Sequence, residues 1–435
     1  MRSTPSSGAA ADRGGWTLWA AGAAILVALL AFAALDPGDG TKRFFLLLGI
    51  ASGAYLAAMR SIGSGVRPSR RALIAFVALA AAWRVPLALL PPEPGTDLRR
   101  YLWDARLVRS GLNPYSVVPA DPDVAHLRTA ENWPVNNPDV PSPYPPTAQV
   151  FFFAATAVRE SPLAIKTALL VCDALLALAL WRWLSTLDAN PAWVLAYLWN
   201  PLVSLEVARH GHVDVVGAAC LIWAVLALCR GRTLPGTAAF AVALAVKPLP
   251  IVLAPLLWRR IAWRDAAVGL GLLVLLYLPF WDRGLPVGSV PDVVRRFRFN
   301  GPVFETVAAA AGAPAAVAFA IAAGVALATW ARARLPIGSF AAWAWPMAAT
   351  LLCSPLVYPW YLTWLAPFLV VPSTVPLAIW TVCILSTYVV WERASAGAPW
   401  AVPWWALLLE YGVLAVATAW TFRRRSKAAT SPTAP

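Results

Sequence analysis

The chain has 435 residues, 60% of them hydrophobic and 13% charged, with a formal net charge of +14. A water-exposed surface needs far more charge than this, which excludes a set of soluble domains. Its apolar runs are continuous rather than alternating, which excludes a β-barrel, and its basic residues fall in short clusters between those runs, the pattern of cytoplasmic loops rather than of a nucleic-acid surface.

Apolar runs long enough to cross a hydrocarbon core of about 30 Å recur along the whole length. The predicted segments are 16–35, 44–59, 71–90, 147–158, 162–181, 191–209, 213–229, 236–257, 265–281, 314–331, 338–352, 359–371, 374–391 and 402–421. They predict an all-α, polytopic transmembrane helical protein of about 12–14 spans, with short or re-entrant segments among them. The first run follows a polar start with Arg2 and Arg13 and is too long for a signal-peptide core, so it reads as a retained span. The chain divides into N-terminal spans (1–70), a membrane core (71–371) carrying an outer loop (91–146), C-terminal spans (372–422) and a disordered basic tail (423–435). The cysteines Cys172, Cys220, Cys229, Cys353 and Cys383 lie within or beside apolar runs and show neither CxxC nor Cys/His spacing, so they read as packing residues.

Basic clusters at Arg60, Arg67, Arg70 and Arg71, at Arg332 and Arg334, and at Arg423, Arg424, Arg425 and Lys427 assign cytoplasmic loops and cytoplasmic termini in a multi-pass cell-membrane protein, most simply of a bacterial inner membrane. The loops 91–146 and 282–312 are then both outside. The middle does not close: Arg230/Arg232 and Arg259/Arg260/Arg264 both look cytoplasmic, with only the 236–257 run between them. Lys247-Pro248-Leu249-Pro250 breaks that run near its centre. Either two half-length helices meet at Lys247 and line a polar pocket, or one loop is misjudged.

Candidate chemistry falls in four places. In the outer loop, Thr96 is positioned to cap a helix beginning at Asp97, on which Asp97, Arg100, Tyr101 and Asp104 share one face while Leu98, Leu102 and Leu107 rest on the membrane. Such an interfacial helix either pairs its own charges or presents them to a substrate. Intramembrane ionisable groups are costly and mark sites by default; Arg84, Lys166, Asp173, Glu206, Arg209, Asp214 and Lys247 qualify. Lys247 beside a proline suits an anionic ligand such as a phosphate. The cluster His210, His212 and Asp214 could ligate a metal or, more simply, hydrogen-bond a polar substrate or the outer-loop helix. The segment Tyr358-Pro359-Trp360-Tyr361 offers aromatic faces or an interfacial belt.

Together these segments resemble the GT-C superfamily of membrane glycosyltransferases, family 87 type, related to polyprenyl-phosphate-mannose-dependent mannosyltransferases. The pieces carrying the resemblance are Asp97…Arg100-Tyr101-Leu102-Trp103-Asp104-Ala105-Arg106, Gly111-Leu112-Asn113-Pro114-Tyr115, Tyr144-Pro145-Pro146, Trp199-Asn200-Pro201-Leu202, Gly211-His212-Val213-Asp214, Lys247-Pro248 and Tyr358-Pro359-Trp360-Tyr361. The first loop also resembles that of the mannosyltransferase of GPI-anchor synthesis, whose Asp-x-Asp is here Asp97-Leu98-Arg99; the missing second carboxylate weakens the expectation of a divalent metal ion, and no metal ligands or cofactor are assigned.

The resemblance implies inverting transfer of a hexose, mannose by family analogy, from a polyprenyl-phosphate-linked donor to a lipid or glycan acceptor on the extracytoplasmic side of the bilayer. One carboxylate must take the acceptor hydroxyl proton. Asp97 is the first candidate and Asp104 the second. Cations must meet the departing lipid phosphate, with Arg100 and Lys247 as candidates and Arg99 or Arg106 as further ones. Tyr101, His212, Asp214, Tyr358 and Trp360 are candidates for holding sugar or acceptor, with Trp103 a further ring. The alternative is a transporter or flippase of a lipid-linked anion, which also wants buried charge and broken helices but predicts internal symmetry that the sequence lacks.

Overall fold

The computed structural model describes residues 7–35, 41–93, 96–282 and 286–430. Eight of its helices are long and apolar enough to cross a membrane: Gly15–Ala33, Thr41–Gly63, Arg70–Leu89, Pro162–Thr186, Trp263–Phe280, Ala313–Arg334, Pro372–Ser395 and Trp404–Arg424. One further apolar pair is bent, Pro201–Arg209 meeting Asp214–Cys229 at 119°, the geometry of a broken span or of a re-entrant loop. Shorter apolar helices, Pro146–Ala155, Thr233–Leu244, Pro302–Ala311 and Phe340–Leu352, complete the bundle. The all-helical, multi-pass architecture is therefore the expected one. The last helix continues to Thr430, through the first part of the expected tail, and residues 431–435 lie outside the described residues.

Several predicted spans are not regular helices, and proline accounts for the departures. The 191–209 run becomes a 3-10 turn at Pro191–Val194, a helical turn at Leu195–Leu198 and a further segment from Pro201. Proline lacks the N–H that would continue each preceding turn. Asn190 and Asn200 occupy the breaks, their side chains accepting from the backbone N–H of Ala192 and Leu202. The 236–257 run is an α-helix to Leu244 followed by a 3-10 helix, Leu249–Leu257, so that Lys247 sits in the break as expected. The 359–371 run is likewise two 3-10 turns, Pro359–Trp364 and Ala366–Phe368. Exposed peptide groups are untenable in hydrocarbon; the pieces at 191–209 and 359–371 are largely buried inside protein, whereas Leu249–Leu257 buries Val252, Leu253, Leu256 and Leu257 and leaves Ile251 exposed.

Buried charge is paired where it serves the fold. Arg84 Nε donates to Asp173 Oδ2 at 2.8 Å, its Nη1 donates to the Leu198 carbonyl at 2.7 Å, and Tyr197 OH donates to Asp173 Oδ1 at 2.6 Å. Asp173, marked in the sequence only as a costly intramembrane group, therefore has its partners within the fold. Lys166 Nζ donates to the Leu90 carbonyl at 2.9 Å.

The outer loop is a folded layer. Its helix, Asp97–Arg109, is covered on both sides: Leu98, Tyr101 and Leu102 join the main core, while Trp103 and Leu107 pack with Val124 and Val135 in a second, smaller one. Leu107, expected to rest on the membrane with Leu98 and Leu102, instead packs inside the loop's own core. The second loop docks on the first, Ser289 Oγ donating to the Pro141 carbonyl at 2.8 Å and Asn113 Nδ2 to the Phe280 carbonyl at 2.9 Å. Both loops thus lie at one end of the bundle.

Candidate active site

Beneath the outer loop lies a cavity of about 1420 Å³. Its polar side is built from three elements that are distant in sequence: the start of the Asp97–Arg109 helix, the turn at 210–214, and the break around Lys247. Phe32, Phe44 and Phe45 extend the cavity with apolar surface, and Ile251, Val252, Ile321 and Leu351 also line it. A large apolar cavity with a few convergent polar groups is the usual form of a ligand site.

Asp97 stands at the helix N-terminus, where a carboxylate is favoured by the unpaired N–H groups of the first turn. Its Oδ1 accepts from Asn136 Nδ2 at 2.6 Å, and its Oδ2 lies 3.8 Å from His212 Nε2. Thr96 occupies the cap position as predicted, but its hydroxyl makes no capping bond and is buried without a hydrogen-bond partner.

Asp104, one helical face along, is placed differently. It is fully buried, away from the cavity lining, and accepts from Arg100 Nε at 3.0 Å, from Gln149 Nε2 at 3.1 Å and from the Ser142 hydroxyl. Burial pushes its carboxyl above the usual carboxylate range, opposed by the Arg100 guanidinium and the hydrogen bonds of Ser142 and Gln149.

The arginines of this helix also separate. Arg100 reaches the cavity, but its donors are engaged by Asp104, by the Val140 carbonyl at 3.1 Å and by the Asn137 carbonyl at 3.5 Å. Arg106 forms a bidentate pair with Glu160, at 2.7 and 2.9 Å, away from the cavity lining. Arg99 donates to the carbonyls of Ala130 and Trp133. These side chains staple the loop to its helix, a task suited to the many donors of a guanidinium. Spacing along a helix could not reveal this, because these partners outside the helix lie 31 to 54 residues on.

Lys247 is more open. Its ammonium lies 2.6 Å from Asp214 Oδ1 and 3.7 Å over the ring of Tyr361, with a quarter of the side chain exposed. Asp214 is buried and also accepts from Trp364 Nε1 at 2.7 Å. An ammonium held by one carboxylate and one ring face retains a donor for an anion entering the cavity.

His212 is fixed by stacking and by its turn. Its ring lies 4.2 Å from Trp360, Trp360 lies 4.4 Å from Tyr358, and Tyr358 lies 4.4 Å from Phe299, all near-parallel. Three of the predicted substrate-holding residues thus form one ladder along the cavity. Gly211 adopts φ +74°, and a Cβ there would meet Leu98 Cδ2 at 2.8 Å. Only glycine allows the turn to approach the Asp97 helix this closely. Tyr101 ties the same junction: its buried hydroxyl accepts from Val213 N at 3.3 Å and its ring stacks on Phe152 at 4.2 Å. Trp103 is buried in the loop core and does not line the cavity.

Behind His212 lies a residue that sequence reasoning flagged only as a costly buried charge. Glu206 is fully buried in a π turn, Ser204–Arg209, and its Oε2 lies 2.7 Å from His212 Nδ1 and 3.3 Å from His210 Nδ1. The Tyr388 hydroxyl donates to Glu206 Oε1. One ligand atom each from Glu206, His210 and His212 falls within 4.8 Å of the others, donor types suited to a divalent ion. Of these atoms, His210 Nδ1 bonds Glu206, whereas His212 Nδ1 lies 2.7 Å from the carboxylate but is buried without a hydrogen-bond partner. Asn136 and Tyr388 are the residues around this site that the sequence did not nominate.

A family model described as alpha-(1->6)-mannopyranosyltransferase, N-terminal domain, matches residues 11–262, a stretch that contains Asp97, Glu206, His212, Asp214 and Lys247. Alpha-(1->6)-mannopyranosyltransferase A of Mycobacterium tuberculosis (strain ATCC 25618 / H37Rv) is 26% identical over 235 residues, which is 51% of this chain and 44% of that relative. The alignment therefore spans less than half of the relative's length.

Proposed function

Because this chain belongs to the MptA_B family of alpha-(1->6)-mannopyranosyltransferases, we propose that it is a membrane mannosyltransferase that moves mannose from a polyprenyl-phosphate donor to a lipid or glycan acceptor on the extracytoplasmic side of the bilayer. The observation that carries this reading is the convergence of Asp97, His212 and Lys247, all inside the family match, on one cavity with apolar walls. A soluble nucleotide-sugar donor would find little use for those walls. A prenyl chain would bury them.

In this reading Asp97 takes the proton from the acceptor hydroxyl as that oxygen attacks the anomeric carbon. The donor's phosphate departs with the bonding electron pair, and Lys247, with Arg100 behind it, meets the negative charge. Attack from the face opposite the phosphate inverts the anomeric centre. An α-linked product therefore calls for a β-linked donor. The Trp360 and Tyr358 faces suit the sugar ring, and Asp214 fixes the lysine rather than the sugar. Asp104, Arg106 and Tyr101 are assigned to holding the loop and its helix in place.

The test is transfer in vitro. Purified protein in proteoliposomes, given radiolabelled polyprenyl-phosphate-mannose and mannosylated lipid acceptors, should yield a product sensitive to an α-mannosidase. Donor translocation without transfer, unchanged by Asp97→Asn, would instead support a flippase.

A further inference from the structure

Glu206 does not line the cavity, yet three side chains converge on its carboxylate. Its partners come from separate elements: His210 and His212 from the turn that follows it, and Tyr388 from the Pro372–Ser395 span. His212 is therefore held between two carboxylates, Glu206 at Nδ1 (2.7 Å) and Asp97 at Nε2 (3.8 Å). A neutral imidazole has one N–H and one lone pair, so it satisfies one carboxylate and opposes the other. An imidazolium is attracted to both as a charge, Nδ1 standing 2.7 Å from Glu206 without hydrogen-bond alignment and Nε2 3.8 Å from Asp97. The remaining charged and titratable groups at this place are His210 and Tyr388, which bond each other at 3.3 Å, and the Lys247–Asp214 pair, which is internally neutral.

We propose that Glu206 is a positioning residue for transfer: it holds the His212 ring with Nε2 turned to Asp97 and so fixes the carboxylate that takes the acceptor's proton. The inference rests on the mannosyltransferase reading above and extends it to a residue that touches no substrate. Trp360 fixes the plane of the ring through stacking, but a stack leaves the ring free to turn in its plane. The close charge contact of Glu206 with Nδ1 opposes that turning, and the Tyr388 hydroxyl bond fixes Glu206. The π turn that carries Glu206 places its backbone carbonyl 2.8 Å from the His212 N–H as well, so side chain and main chain act on one residue. Extra-residue turns of this kind concentrate at functional sites.

The experiment is a double-mutant cycle on transfer by the full-length protein in proteoliposomes, with Glu206→Gln, His212→Gln and the pair. Each single variant should lower kcat by about 100-fold, the scale of a misplaced catalytic group, with donor and acceptor KM little changed. The pair should be no slower than His212→Gln alone, because Glu206 acts only through that ring. Multiplying losses, or losses confined to KM or to thermal stability, would overturn the proposal, as would stoichiometric zinc or manganese in the purified protein that Glu206→Gln removes. Tyr388→Phe, which keeps the carboxylate, should give a smaller loss of kcat and covers the case in which Glu206→Gln does not fold. A second arm needs no activity: cryo-electron microscopy of Glu206→Gln, or of Tyr388→Phe in its place, should show the His212 ring turned from Asp97. An unmoved ring overturns the proposal even where transfer by the wild type has failed.

Discussion

The Oδ2 of Asp97 and the Nε2 of His212 lie 3.8 Å apart across the junction between the outer-loop helix and the bent span. One residue opens a loop helix and the other closes a membrane turn, and their approach defines the polar end of the cavity. Asp97 alone among the two candidate bases faces that space.

Asp97→Asn keeps the size of the side chain and a contact for Asn136, but removes the proton acceptor. We expect kcat to fall by about 10²- to 10⁴-fold, with the melting temperature in detergent nearly unchanged. Radiometric transfer at saturating donor measures it, and a variant within about tenfold of the wild type would remove Asp97 from the role of base.

Asp104→Asn should behave in the opposite way. Removing one partner of a buried ion pair leaves the Arg100 guanidinium uncompensated, a loss of about 3–5 kcal/mol. Thermal unfolding followed by Trp fluorescence should shift markedly downward, while kcat per folded molecule stays near that of the wild type. A folded Asp104→Asn protein without activity would return Asp104 to the chemistry.

The class of fold was legible because hydrocarbon imposes it: long apolar runs, basic clusters between them, and a break wherever proline met a buried charge, as at Lys247-Pro248. The outer-loop helix was legible for its start and its face, but not for its cover. Leu107 read as part of a membrane-facing stripe, and Trp103 as a ring for the substrate, because their partners, Val124 and Val135, lie in a stretch with no period to mark it. The same limit hid the difference between Asp97 and Asp104. Both sit on one helical face, and only Ser142 and Gln149, some 40 residues away in sequence, bury the second. Glu206 was visible as an expense without a purpose, since its purpose depends on a turn that brings His212 back toward it.

Lys247→Gln should raise the donor KM by about 10- to 100-fold and leave the acceptor KM nearly unchanged, because the ammonium lines the cavity and keeps a donor for the proposed phosphate. The same change strands Asp214, which is 2% exposed, and should lower stability. Lys247→Gln combined with Asp214→Asn removes both charges. It should recover most of the melting temperature and none of the donor affinity. Recovery of both would mean that Lys247 serves the fold alone.

Gly211→Ala tests whether the approach of turn and helix matters to transfer. The new Cβ would meet Leu98 Cδ2 at 2.8 Å, and the backbone there is at φ +74°. Alanine must therefore both push the Asp97 helix away and hold a left-handed conformation, at about 1–2 kcal/mol for the latter. A shift of 1 Å between Asp97 and His212 is enough for a loss of about 100-fold in kcat. Adding Leu98→Ala opens the space for the methyl group, so part of the lost kcat should return. Stability should fall further, by about 2–5 kcal/mol, because Leu98 is fully buried in the main core. Opposite movements of rate and melting temperature in this pair would separate the geometry of the junction from the strength of its packing. If the two fall together, the junction is a matter of packing only.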